Sequence, residues 1–169
     1  TVTDGDGNVY NTVQIGNQCW MRENLVVGTI IMSTQEQSDN GIIEKYCYDD
    51  HSDSCLTYGG LYRWDELMNY SELEGSQGIC PLGWHVPTYN EYWELIDLLG
   101  GDEYAGGAMK ESGTEHWMSP NEDATNCSGF TALPGGKWDP YQEVFKVMTS
   151  HAFFWTSTIP WNSAGNPNY

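Results

Sequence analysis

The chain has 169 residues, enough for one domain with a core of its own. Six Lys and Arg against 24 Asp and Glu leave a formal charge of -18, which repels phosphate backbones and anionic headgroups and makes nucleic acid a poor partner. Aromatic residues at 14% alongside 19 glycines point to large flat side chains set among many turns, and no apolar run approaches the ~20 residues that span a bilayer.

In chain order, the first twenty residues read as a hairpin. Asp4-Gly5-Asp6-Gly7-Asn8 supplies turn residues, Val9, Tyr10, Val13 and Ile15 have strand propensity, and Gly16-Asn17 supplies a second turn. Asp4, Asp6 and Asn8 also have the alternate spacing that opens a calcium loop. Val9 stands where that loop needs Gly and Ile15 where it needs a bidentate Glu, so a turn is the preferred reading. Val26 to Ile31 predicts a strand, and a polar excursion follows. Cys47 and Cys55 bracket the polar loop Tyr48 to Ser54, and a disulfide closing it is the first choice. Cys19, Cys80 and Cys127 remain, an odd count. Five cysteines without a Cys-x-x-Cys pair suggest neither a zinc ribbon nor a thioredoxin-type site, and they fit an exported protein.

Gly59 to Tyr70 carries Leu61, Tyr62, Trp64, Leu67 and Met68 and suits a helix with one buried face. The best specified element comes next. Thr88 and Glu91 form a capping box, Pro87 bars a helix arriving from upstream, and Gly100-Gly101 supplies a left-handed stop, which predicts a helix over Tyr89 to Leu99. Gly106 to Glu111 reads as one or two helical turns, Gly113 to Ser128 as loop, and Gly129 to Gly136 as a short strand ended by Pro134 and two glycines. Glu143 to Met148 and Ala152 to Thr158 are two strand-like runs joined by a polar turn. Strands, two helices, then strands argue an α+β fold.

With 24 acids, a carboxylate pair suited to hydrolysis can be drawn anywhere, so abundance removes that signal. His51, His85, His116 and His151 lie too far apart for a His-x-x-x-His motif, and His85 and His116, beside Trp84 and Trp117, read as structural histidines. No cofactor is expected. Asn121, Glu122, Asp123 and Asn126 are the place for a structural calcium, although a solvated acidic loop is the preferred reading. At the end of the chain Trp155, Ser157, Ile159, Trp161, Asn162, Ser163, Asn166, Asn168 and Tyr169 combine rigid aromatics with short adaptable polar groups, a composition that suits recognition. Phe154 and Trp155 read at least as well as core residues of a strand, and the expected ligand contacts are Ser157, Ile159, Trp161, Asn162, Ser163, Asn166, Asn168 and Tyr169.

A collinear series of motifs adds a resemblance. Asp6-Gly7-Asn8-Val9-Tyr10, Trp20-Met21, Glu23-Asn24-Leu25, Tyr58-Gly59-Gly60-Leu61-Tyr62, Cys80-Pro81-Leu82-Gly83-Trp84-His85-Val86-Pro87-Thr88, Lys110-Glu111-Ser112-Gly113-Thr114, His116-Trp117, Ser128-Gly129-Phe130, Ala132-Leu133-Pro134-Gly135-Gly136 and Phe154-Trp155-Thr156-Ser157-Thr158 together resemble the Fibrobacter succinogenes major paralogous domain family. The series covers nearly the whole chain. The resemblance implies a single C-type-lectin-like domain over residues 1–169, of the variety shared with formylglycine-generating enzymes, with two helices flanking small antiparallel sheets and much irregular chain. It also implies an extracellular or cell-surface location, a closing strand beyond Tyr169, and a cysteine there to pair with Cys80, leaving Cys19 and Cys127 bonded to each other or buried as thiols. Some family members are varied by diversity-generating retroelements on a ligand-binding face near the C-terminal end.

The expected function is therefore a non-enzymatic exported domain that binds a protein or glycan ligand at a cell surface through its C-terminal residues. The alternative is a secreted adhesion or polysaccharide-binding module. An oxidase of the formylglycine-generating kind needs a reactive cysteine pair near its end, and no such pair lies between Cys127 and Tyr169. Ser119-Pro120-Asn121 and Trp161-Asn162-Ser163 echo the calcium and sugar loops of C-type lectins, but each lacks an acid those loops need.

Overall fold

The carboxylate of Asp4 organises the first turn by accepting from the backbone N–H groups of Asp6 and Asn8, the Asn8 amide and the Tyr10 hydroxyl. Four donors occupy the lone pairs a cation would use, so the alternate-acid spacing serves a turn. In the computed structural model, which describes residues 1–159, this turn joins β1 (Val2–Thr3) to β2 (Val9–Tyr10) as an antiparallel pair. A second hairpin follows: β3 (Thr12–Ile15) and β4 (Gln18–Met21), turned at Gly16-Asn17. The single expected hairpin is thus two. Register places Val13 opposite Trp20 and Gln14 opposite Cys19, so alternation sends Ile15 and Trp20 inward and leaves Cys19 exposed on the other face.

The strand expected over Val26 to Ile31 shrinks to β5 (Thr29–Ile30), paired in parallel with β6 (Glu44–Lys45). Side chains replace the missing ladder. The buried Lys45 ammonium donates to the carbonyls of Val26 and Gly28, the Tyr62 hydroxyl donates to that of Val27, and the Tyr10 hydroxyl accepts from the Val26 N–H. Burial lowers the Lys45 pKa, against the opposing pull of Asp6 and Asp4. The expected disulfide Cys47–Cys55 is present, with both cysteines buried. The segment it closes is not an open loop: a 3-10 turn over Tyr48–Asp50 leads into α1 (Ser52–Tyr58).

The helix expected over Gly59 to Tyr70 is one turn, α2 (Trp64–Leu67), because Asn69 and Tyr70 both take positive φ and end it. That turn still buries Leu67 and Met68 against Val27, Ile79, Cys80 and Val86, one of two apolar clusters. Next, α3 (Tyr89–Leu98) starts at a complete capping box, with the Thr88 hydroxyl accepting from the Glu91 N–H and the Glu91 carboxylate accepting from the Thr88 N–H. After Gly100 and Gly101, both at positive φ, α4 (Asp102–Met109) begins four residues earlier than expected, with Asp102 and Glu103 favourably placed in its first turn. Gly107 permits a close approach, since a Cβ there would stand 2.4 Å from the Asp123 carbonyl oxygen. Leu95 of α3 and Met109 of α4 meet Ile15, Trp20, Phe130 and Ala132 in the other cluster.

Gly129 to Gly136 forms no strand, contributing only a parallel bridge between Lys110 and Ala132. The last hairpin is β7 (Lys137–Asp139) with β8 (Val144–Lys146), its Trp138 and Phe145 rings 4.7 Å apart. The expected run Ala152 to Thr158 is irregular chain with a bend at Ser157 and pairs with neither strand. Four helices and four two-stranded sheets among the described residues make a mixed α and β fold. No described helix is long and apolar enough to cross a membrane.

Two carboxylates give this fold an acid limit. Burial by itself would raise Asp4 and Glu91, but hydrogen bonds from Tyr10, Asn8 and Asp6 to the first, and from Thr88 and His85 to the second, hold both below their usual values. A depressed folded-state pKa means the unfolded chain binds more protons, so this stabilisation is complete above about pH 4 and is lost as pH falls through the lowered values. Melting temperature is expected to fall steeply below about pH 4, and less steeply in an Asp4→Asn, Glu91→Gln double variant. Equal slopes would show that neither carboxylate sets the limit.

Candidate functional site

Residues Ala152 to Ile159 form a strap tied to the fold by side-chain and backbone bonds. The Trp64 indole donates to the Thr156 carbonyl at 2.8 Å, the Trp155 indole to the Tyr62 carbonyl at 2.9 Å, and the Ser157 N–H to the Pro87 carbonyl at 2.8 Å. The Thr158 hydroxyl accepts from the N–H of Tyr89, the first residue of α3, and also bonds Glu74. Exposure alternates from Ala152 to Thr156. Phe154 turns inward, its ring 5.5 Å from Phe130 and 6.2 Å from Tyr92, while Phe153 and Trp155 are each 52% exposed.

The strap separates two open cavities and walls both. One, of about 640 Å³, lies towards Tyr62, Trp84, Val86 and Tyr92. The other, of about 760 Å³, lies towards Trp64, Trp138 and Tyr141. Phe153, Phe154 and Trp155 line each. His151 stacks on Phe153, with ring centroids 5.8 Å apart, and the Lys137 ammonium sits 5.3 Å from the centre of the same ring. Arg22 lines the first cavity, and Arg63 and Lys137 the second, so half of the chain's six basic residues border this surface. In so acidic a chain that local balance is distinctive. Large concave surfaces lined by aromatic side chains and a few charged groups are the usual setting of ligand sites.

The sequence model for the Fibrobacter succinogenes major domain matches residues 13–167. The chain belongs to this family. No curated protein and no solved structure matches it. Within this Fibrobacter succinogenes major domain the motif from Cys80 to Thr88 works as scaffold. It delivers the helix cap, packs Val86 in the cluster around Leu67 and Met68, and offers the Pro87 carbonyl that holds the strap.

Of the ligand contacts expected from sequence, Ser157 is fully buried. Its hydroxyl accepts from the Gly75 N–H at 3.0 Å and donates to the Pro87 carbonyl, so it fastens the strap and presents nothing to a ligand. Ile159 is half-buried and lines the second cavity. Trp161, Asn162, Ser163, Asn166, Asn168 and Tyr169 lie outside the described residues. Sequence reading left Trp155 open between surface and core, and missed Phe153, Trp138 and Tyr141 as surface groups. Period-two alternation over 152–156 was the available signal: with Phe154 inside, both neighbours face out, and the pattern ends at the bend at Ser157.

His85 and His116 are each paired to a carboxylate, His85 to Glu91 at 2.9 Å and His116 to Glu111 at 2.9 Å. Asn121 spends its amide on the Glu111 and Gly113 carbonyls, and Asn126 bonds Thr131, so these members of the acidic loop serve its shape. Cys19 and Cys127 are exposed and unbridged, which corrects the expectation that they bond each other or lie buried. Cys80 is buried beside the first cavity, and burial pushes its thiol up to about 12, leaving it protonated and unreactive at neutral pH.

Proposed function

We propose that this Fibrobacter succinogenes major domain is an exported, non-enzymatic ligand-binding module of the C-type-lectin-like kind, and that its recognition face is the aromatic surface around Phe153 and Trp155. The observation that carries this reading is the strap itself. Two large rings are held half in solvent by a segment whose intervening residue is packed, whose backbone is bonded at Thr156 and Ser157, and whose Trp155 indole is anchored on the Tyr62 carbonyl. Rigid aromatics of this kind give contact area at little entropic cost. Exposed apolar groups gathered at one place also mark interaction sites. The disulfide supports an oxidising, extracellular or cell-surface location. Ile159 and the later Trp161, Asn162, Ser163, Asn166, Asn168 and Tyr169 extend the proposed contact set, and retroelement diversification of that end belongs to the same proposal. A gene neighbourhood without a reverse transcriptase and without an imperfect repeat of the 3′ coding end would remove the diversification part.

A secreted adhesion or polysaccharide-binding module is the second reading, favoured by Tyr141, which is 90% exposed beside the second cavity and offers a further flat face to a sugar ring. Screening the domain against a polysaccharide and glycan array, and against a displayed peptide library, tests both. Reproducible glycan binding selects the second reading, and peptide binding selects a protein ligand. Binding that does not depend on Phe153 or Trp155 overturns the placement of the site.

A further inference from the structure

Glu111, Glu115 and His116 lie on the loop that follows α4 and line neither cavity. We propose that they bind one divalent first-row transition-metal ion, with zinc the best fit. Each residue offers one donor atom, and the three donors lie within 4.8 Å of one another. Tetrahedral zinc holds nitrogen and oxygen ligands at about 2.0–2.2 Å, which sets its donors about 3.3–3.6 Å apart, so binding draws the exposed Glu115 side chain in towards Glu111 and His116.

The ligand loop is held in place at both ends. The Glu111 N–H and the Trp117 indole both donate to the Ala132 carbonyl, and the Met118 N–H donates to the Thr149 carbonyl. Asn121 clamps the Glu111 and Gly113 carbonyls, each at 2.8 Å. The His116 ring meets Tyr58 edge-on at 5.7 Å, which fixes its orientation. Its Nδ1 already faces both Glu111 oxygens at 2.9 and 3.0 Å.

Charge supplies a separate argument. Among the described residues neither Glu111 nor Glu115 has a Lys or Arg ion-pair partner, since the pairs present are His85–Glu91, His116–Glu111 and Lys146–Asp139. The neighbouring Lys110 is spent on the Glu122 carbonyl and the Trp117 ring. Two carboxylates therefore converge on one imidazole with no fixed cation to balance them, in a chain of formal charge -18. A divalent ion supplies the missing charge. The imidazole decides which ion: nitrogen ligands suit zinc and its neighbours, whereas calcium and magnesium prefer all-oxygen sets.

The test is titration calorimetry of the chelator-stripped domain with zinc chloride, and separately with calcium chloride, in a Cys19→Ser, Cys127→Ser background so that exposed thiols take no metal. One equivalent of zinc is expected to bind, at least tenfold more tightly than calcium, with a rise in melting temperature. Glu115→Gln, on an exposed side chain that leaves the fold intact, and His116→Gln are each expected to weaken zinc at least tenfold. No saturable zinc binding, calcium binding as tight as zinc, or zinc affinity unchanged in Glu115→Gln would overturn the proposal. If His116→Gln does not fold, Glu115→Gln alone decides.

Discussion

Replacing Cys47 and Cys55 together with alanine is expected to lower the unfolding free energy of the domain by about 2.5 kcal/mol. The magnitude follows from the loop that the bond closes. The two cysteines are 8 residues apart in sequence, and a cross-link over so short a loop removes a modest but real share of the unfolded chain's freedom. Native contacts add to this. Cys47 and Cys55 are buried beside Tyr46, whose backbone N–H and C=O both pair with Leu61, and α1 ends at Gly59, next to the Gly60 N–H that donates to the Leu25 carbonyl. Loss of the cross-link therefore loosens the wall from Tyr58 to Tyr62, which borders the first cavity. Urea denaturation of the oxidised protein, the reduced protein and the double variant measures the effect. Coincident midpoints for all three would show that the bond contributes nothing to stability.

What the sequence disclosed was local. The helix α3 was readable because its cap, its preceding proline and its glycine stop lie within fifteen residues, Pro87 to Gly101, and need no distant partner. The turn at Gly16-Asn17 was readable for the same reason. By contrast, Val26 to Ile31 has strand-forming residues, but its carbonyls are claimed by Lys45 and Tyr62, and no feature of the segment announces a side chain arriving 17 to 35 residues later. The β7 strand was hidden between glycines and Pro140, because its stability comes from Trp138 meeting Phe145 across the hairpin. Ser157 was misplaced in the same way. Ser157 has the composition of a contact residue, yet its partners Pro87 and Gly75 lie 70 and 82 residues upstream, and only the folded chain shows that they consume its hydroxyl.

The alternation Phe153 out, Phe154 in, Trp155 out leads to the second large effect, because it separates stability from recognition within three consecutive residues. Phe154→Ala is expected to cost about 2–3 kcal/mol of unfolding free energy, less than a fully buried phenylalanine would, since the ring is half-buried between Phe130 and Tyr92. Trp155→Ala removes one hydrogen bond, to the Tyr62 carbonyl, and costs about 1 kcal/mol. Its larger consequence lies in binding. Loss of a ring that is 52% exposed and shared by both cavities is expected to weaken the ligand found by array or library screening at least tenfold, as truncation of central aromatic contacts does. Denaturation midpoints and ligand titrations on the two variants measure both effects. A one-residue change of register would reverse the pattern, because it exchanges the two faces of an extended segment. A neutral Phe154→Ala together with a strongly destabilising Trp155→Ala would therefore place Trp155 in the core and remove the physical basis for a recognition surface at the strap.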